Sequence, residues 1–148
     1  MDKRQKSILA EFLTVIAVTV LAVVGMLNFK DYVNRSEAIK AMRVMSEKIA
    51  AYRQENAILP PEGYIEKIRE DSTGGARVGR LQYRGFFVDP RSEPNTILLF
   101  SEKQYDSSFL DNGYIVLFLD GSVEWVDTRT FEKMLAEQRT DFEIQMSD

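Results

Sequence analysis

Residues 7–29 read SILAEFLTVIAVTVLAVVGMLNF, from Ser7 to Phe29, and this stretch decides the fold. It is apolar almost throughout, with one charge, Glu11, near its start, and residues 12–29 carry no charge at all. At about 1.5 Å of rise per residue, some 20 helical residues cross a hydrocarbon core of roughly 30 Å. The run is longer than the roughly 7–15 apolar residues of a cleaved signal peptide, and Asn28-Phe29-Lys30-Asp31 after it is a poor cleavage site. The expectation is therefore a retained anchor over 7–29. Lys3, Arg4 and Lys6 form a basic leader, 1–6, on its N-terminal side. By the positive-inside rule the leader is cytoplasmic and the C-terminal bulk lies across the membrane.

Working outward, residues 30–58 continue the helix as an amphipathic extension. Ala38, Met42, Met45, Ile49 and Tyr52 recur at spacings of three and four and share a face, while Arg35, Glu37, Lys40, Arg43, Glu47, Lys48 and Arg53 take the other faces. The stripe is read as packing on the protein's own sheet. Glu37 with Lys40, or Arg43 with Glu47, is spaced to pair along the helix. Asn56 is the expected C-cap, and Pro60-Pro61 prevents the helix from resuming.

Residues 59–148 read as an extracytoplasmic antiparallel β domain with a short C-terminal helix. Residues 62–80 are expected to be loop with a helical turn over Gly63–Arg69. The glycines at 74, 75 and 79 have no Lys-Ser/Thr and no preceding buried strand, which rules out a phosphate loop. Arg77, Arg80 and Arg84 read as a solvated basic face. Strands are expected over 81–88, 96–101, 113–119 and 122–126, with Asp120-Gly121 as a two-residue hairpin turn between the last two. On the final strand Val123 and Trp125 share one face, and Ser122, Glu124 and Val126 the other. Asp127-Thr128 caps a helix over 130–138 whose Phe131, Met134 and Leu135 share a face. Residues 139–148 read as a weak strand or a frayed tail. The expected fold class is thus α+β: a long N-terminal helix, transmembrane and then amphipathic, packed on a small antiparallel sheet.

Composition narrows function by exclusion. The 148 residues contain no Cys and no His. Disulfides, thiol nucleophiles, Ser-His-Asp catalysis and most zinc sites are therefore excluded. Beyond residue 29 there are 16 Lys and Arg against 21 Asp and Glu, a balance that does not suit nucleic acid. Asp111, Asp120, Glu124 and Asp127 are the nearest approach to a carboxylate cluster. A turn accounts for Asp120, a cap for Asp127 and the solvent face of a strand for Glu124, so no enzymatic activity and no cofactor are expected.

Glu11 lies about a turn into the apolar run, where a carboxylate costs a few kcal/mol and marks a functional position unless it snorkels to the interface. Residues 6–17, Lys-Ser-Ile-Leu-Ala-Glu-Phe-Leu-Thr-Val-Ile-Ala, resemble the N-terminus of type IV pilins and type II secretion pseudopilins. That pattern is a basic leader, a processing site, a few apolar residues, a Glu at the fifth mature position and a long apolar helix. With the cut between Lys6 and Ser7, Glu11 is the fifth residue. The resemblance implies that Glu11 is an assembly residue, paired with the freed amine of a neighbouring subunit. Lys6 departs from the pattern, because the family has Gly immediately before the cut. Two expectations stay open. One is processing by prepilin peptidase and assembly as a subunit or minor component of a type IV pilus or type II secretion pseudopilus. The other is a non-polymerising, single-pass anchored binding or sensory domain with a pilin-like fold.

Two further stretches resemble the same family. Tyr52-Arg-Gln-Glu-Asn-Ala-Ile-Leu-Pro60 is similar to the pseudopilin helix end. Residues 111–126, with Gly113, Asp120-Gly121, Val123 and Trp125, resemble a motif of one pilin-like branch; its two His positions are Leu110 and Ser122 here. Some major pseudopilins hold Ca²⁺ in a nearby loop, and Asp106, Asp111 and Asn112 are the weak candidates for it in this chain. The resemblance implies a bacterial inner-membrane location, a periplasmic C-terminal domain, and self-association or other pilin-like subunits as partners.

Overall fold

The structure is a computed structural model and describes residues 2–107 and 109–147. It is α+β. A single helix, α1 (Lys3–Asn56, 54 residues), carries both the apolar run and the amphipathic stripe without a break. The leader is part of this helix from Lys3 onward. Among the described residues, none of the apolar window is buried, and the window is long and apolar enough to cross a membrane. From residue 38 onward the same helix is a core element: Ala38, Ala41, Met42, Met45 and Ile49 are buried. Tyr52 is half-buried and tilts against Tyr64 at 4.8 Å.

The C-cap of α1 falls one residue later than expected. Asn56 is its last residue, and Ala57 takes the left-handed conformation (φ 57°) with its N–H bonded to the Arg53 carbonyl at 2.9 Å. Asn56 instead turns its side-chain amide back onto the Tyr52 carbonyl at 3.0 Å. The segment expected to be mostly loop is largely helical: α2 (Glu62–Glu70) and α3 (Gly75–Val78). Ile65 and Ile68 of α2 and Val78 of α3 are buried against α1. Packing also explains the glycines here. A Cβ on Gly75 would lie 1.9 Å from the Arg69 carbonyl oxygen, so this position closes a tight turn against backbone rather than supplying flexibility.

The sheet has four antiparallel strands in sequential order, β1 (Gln82–Tyr83), β2 (Ile97–Lys103), β3 (Gly113–Phe118) and β4 (Val123–Asp127). Of the full strand expected over 81–88, only two residues pair. After Tyr83 the chain makes one ladder-like bond, Arg84 N–H to the Leu98 carbonyl at 2.9 Å, and then turns, with the Phe87 and Val88 N–H groups both bonding the Arg84 carbonyl. In β2, a register irregularity between Ile97 and Leu99 sends Leu98 and Leu99 both toward α1, while Ile97 and Phe100 face the opposite side.

The β3–β4 connection is a three-residue loop rather than a two-residue turn. Gly121 N–H bonds the Phe118 carbonyl at 3.0 Å and Phe118 N–H bonds the Ser122 carbonyl at 2.9 Å. Only Gly121 (φ 90°) is left-handed, whereas the two-residue type I′ turn would need Asp120 there as well. The difference follows from packing: Leu119, the first loop residue, is buried in the core.

The sheet separates two apolar layers. One, facing α1, contains Leu98, Leu99, Ile115, Leu117 and Leu119, with Val123 and Trp125 packed beside them. The other contains Phe100, Val116, Val126, Phe131 and Leu135 and is covered by α4 (Thr128–Gln138). Asp127 caps α4 by accepting from Thr130 N–H at 3.0 Å. Within residues 139–148, expected as a weak strand or a frayed tail, the described residues instead form α5 (Asp141–Ser147), which contributes the buried Glu143.

Candidate functional site

The residues singled out at the processing and assembly position lie on exposed helix. Lys6, Ser7 and Glu11 are all within α1, and the Ser7 hydroxyl donates to the Glu11 carboxylate at 3.3 Å. A separation of four residues puts them one turn apart on the same face. The other polar side chains of the bare segment turn inward on their own helix. Thr14, Thr19 and Asn28 each donate to the carbonyl four residues back, at 2.8 Å. Glu11 is thus the one acidic group between Lys6 and Asp31, presented on an exposed helix face.

A second constellation sits where α1 leaves the bare segment, and sequence reasoning missed it. Asp31 is buried, and one of its carboxylate oxygens has no hydrogen-bond partner among the described residues. The Tyr105 hydroxyl is likewise buried without one. Burial pushes the Tyr105 phenol up to about 12, with Arg35 opposing and Asp31 adding to the shift. Arg35 lies 4.0 Å over the Trp125 ring, and Tyr105 packs on Trp125 at 5.7 Å. Ser107 donates to the Asn28 side-chain oxygen, and its own oxygen accepts from Phe109 N–H at 3.1 Å. The connection between β2 and β3 is therefore fastened to α1 at the residue before the apolar run ends. Of this set, only the Gly113-to-Trp125 pattern carried a signal in the sequence.

Comparison with protein-family models, with curated proteins and with solved structures finds no match.

The acidic candidates are dispersed. Asn112 uses its side-chain oxygen to accept from Tyr105 N–H at 2.8 Å, which closes the connection rather than presenting a ligand. Asp106 and Asp111 are exposed. Asp120 accepts from both the N–H and the hydroxyl of Ser122, at 2.8 and 2.6 Å, and these bonds hold its carboxyl below the usual carboxylate range. Asp127 is lowered likewise, by Thr130, and Glu124 is exposed. Among the described residues, no three His, Cys, Asp or Glu side chains are grouped to hold a metal ion.

The basic face splits into three fates. Arg80 is exposed as expected. Arg77 pairs with Glu37, so Glu37 joins α1 to α3 instead of pairing with Lys40 along its own helix. Arg84 is not solvated. It lies buried in a bidentate pair with Glu143 and donates also to the Ile97 carbonyl at 2.8 Å and the Gln138 carbonyl at 3.1 Å. Each donor of its fork has an acceptor, which is the condition for burying a guanidinium.

Proposed function

We propose that this protein is a membrane-anchored structural subunit: a component, major or minor, of a type IV pilus or type II secretion pseudopilus. The observation that carries the reading is the division of α1 into a bare apolar half bearing a lone carboxylate and a half that serves as the spine of an α+β domain. A surface of that length and apolarity needs either lipid or other helices around it. Glu11 on that surface is costly unless it meets a cation. A neighbouring subunit's N-terminal amine would neutralise it and fix the stagger between subunits. In this reading the chain sits in a bacterial inner membrane with residues 1–6 cytoplasmic and 59–148 periplasmic, and its partners are further copies or other pilin-like subunits, with prepilin peptidase acting between Lys6 and Ser7.

Lys6 favours a second reading, a non-polymerising single-pass anchor for a binding domain, since the leader is then retained and no amine is freed at Ser7. The intact mass of protein purified from membranes of its own host separates the two. A chain beginning at Ser7 supports assembly; a chain retaining residues 1–6 sinks it and leaves the fixed anchor.

A further inference from the structure

We infer that Phe109 is a second membrane contact: the connection between β2 and β3 rests on the lipid surface and inserts this ring at the headgroup boundary beside α1. The inference rests on the reading of the apolar run as a membrane anchor, and it holds for either of the two functions above.

The sheet's direction comes first. Arg53, near the far end of α1, donates to the Leu119 carbonyl at 2.6 Å and to the Pro90 carbonyl at 3.3 Å. Ser46 donates to the Gly121 carbonyl at 2.7 Å. The β3–β4 hairpin therefore lies at the end of the domain farthest from the apolar run. β3 is paired antiparallel to β2 and β4, so the start of β3 and the end of β2 lie at the opposite end. The chain joining them must run along the base of the domain, where α1 emerges.

The height of that connection is fixed by hydrogen bonds. Phe109 N–H is bonded to the Ser107 oxygen, and that oxygen to the side chain of Asn28. Two consecutive hydrogen bonds separate the Phe109 backbone from a residue adjacent to Phe29, the last of the apolar run. Phe109 therefore lies close to the level at which the apolar run ends. The ring is 79 % exposed, and Phe29 and Tyr32 on α1 are exposed too. Aromatic side chains at this level, with Lys30 beside them, form the usual collar of a membrane–water interface. An exposed Phe at a loop tip otherwise leaves its apolar surface in water at a cost of about 25 cal/mol per Å². The two charges directly after the run, Lys30 and Asp31, cancel. The contact is accordingly apolar and aromatic, with no demand for anionic lipid.

Two contacts do what one cannot. A lone helix tilts and rotates freely in a bilayer, whereas a helix plus a lateral foot fixes which face of the domain looks down and which azimuth α1 presents to a neighbour.

The chain has no Cys, so a single introduced thiol carries a nitroxide at one place only. Full-length Phe109→Cys, Phe29→Cys and Phe86→Cys proteins are labelled and reconstituted into neutral phosphatidylcholine bilayers. Depth is read from collisional access of oxygen against a water-soluble nickel chelate. Phe86, also 79 % exposed, follows β1 on the turn after Arg84, four residues before the Pro90 carbonyl that Arg53 holds; the Arg84 N–H bonds Leu98 at the hairpin end of β2. The expected result is an oxygen-to-nickel ratio at 109 several-fold above that at 86 and close to that at 29. A ratio at 109 equal to that at 86, with 29 reading as lipid, overturns the inference and leaves the anchor intact. A water-like ratio at 29 as well overturns the anchor reading itself. Phe109→Trp, read by quenching from brominated lipid against the Trp125 background, tests the same contact with an aromatic ring in place: added quenching supports it and no added quenching refutes it.

Discussion

The guanidinium of Arg84 and the carboxylate of Glu143 form a two-pronged ion pair, Nε to Oε1 at 2.7 Å and Nη2 to Oε2 at 2.8 Å, with the side chains only 5 % and 4 % exposed. The pair joins the turn after β1 to α5, across 59 residues of sequence. Removing one partner leaves the other charged and buried, at a cost of about 3–5 kcal/mol. Glu143→Ala is expected to lower the unfolding free energy of the full-length protein, measured by urea titration, by that amount and to release α5 to proteolysis. Glu143→Gln, which keeps an acceptor of the same shape, should cost less. Equal stability of Glu143→Ala and wild type would mean that α5 does not dock in solution.

Tyr105 and Tyr83 give the protein an alkaline limit. Burial pushes both phenols up, Tyr105 to about 12. The folded state therefore holds these protons above the unfolded value of about 10. Their contribution to stability is complete below pH 10 and is lost as pH rises from about 10 through 12. The two separate at neutral pH. Tyr83 donates its hydroxyl to the Pro60 carbonyl at 2.6 Å, so Tyr83→Phe should destabilise by about 1 kcal/mol. The Tyr105 hydroxyl has no hydrogen-bond partner among the described residues, so Tyr105→Phe should be neutral or slightly stabilising at pH 7 and should flatten the alkaline fall. Urea titrations at pH 7, 10 and 11.5 measure both effects.

Gly113 begins β3 directly beneath Trp125. A Cβ there would lie 2.4 Å from the Val126 carbonyl oxygen and 2.7 Å from the indole. The first of these neighbours is backbone in a paired strand and cannot yield cheaply. Gly113→Ala is expected to cost about 1–3 kcal/mol through forced displacement of β4. Thermal unfolding followed by Trp125 fluorescence reports it, and an unchanged midpoint would show that the strand gives way freely.

Glu11 should matter to association and not to folding. Its carboxylate accepts a hydrogen bond from the Ser7 hydroxyl one turn away on the same exposed helix. Glu11→Leu is expected to leave membrane insertion and the denaturation midpoint unchanged. Cross-linked multimers in native membranes should disappear. Multimers that persist at wild-type levels would remove the assembly role and favour the solitary anchor.

What the sequence disclosed, and what it hid, divides by range. The span of α1, the stripe from Ala38 to Ile49, the buried run of β3 and the Asp127 cap are all set by neighbours within a few positions, and periodicity or capping chemistry exposes them. The Arg84–Glu143 pair and the Asn28–Ser107 bond span 59 and 79 positions. No local pattern announces such partners, so Arg84 looked like one more surface cation and residues 139–148 like a loose end. The truncation of β1 has the same cause, since burying Arg84 takes the chain out of the ladder. For the candidate site, Glu11 was legible because a charge inside an apolar run contradicts its surroundings. Asp31, Tyr105 and Phe109 were not, because each becomes unusual only when the base of the domain is assembled.

α1 passes from the bare segment into the core of the domain with no interruption in its 54 residues, a rod of about 80 Å at 1.5 Å per residue. Its far end is clamped by Ser46 and Arg53 to the hairpin. Such a rod has no joint at which the anchor and the domain can move separately. An axial push or a torque applied near Glu11 arrives undiminished at the tip of the sheet, so the molecule is built to be displaced as one stiff piece, like a pin whose head cannot turn without its shaft.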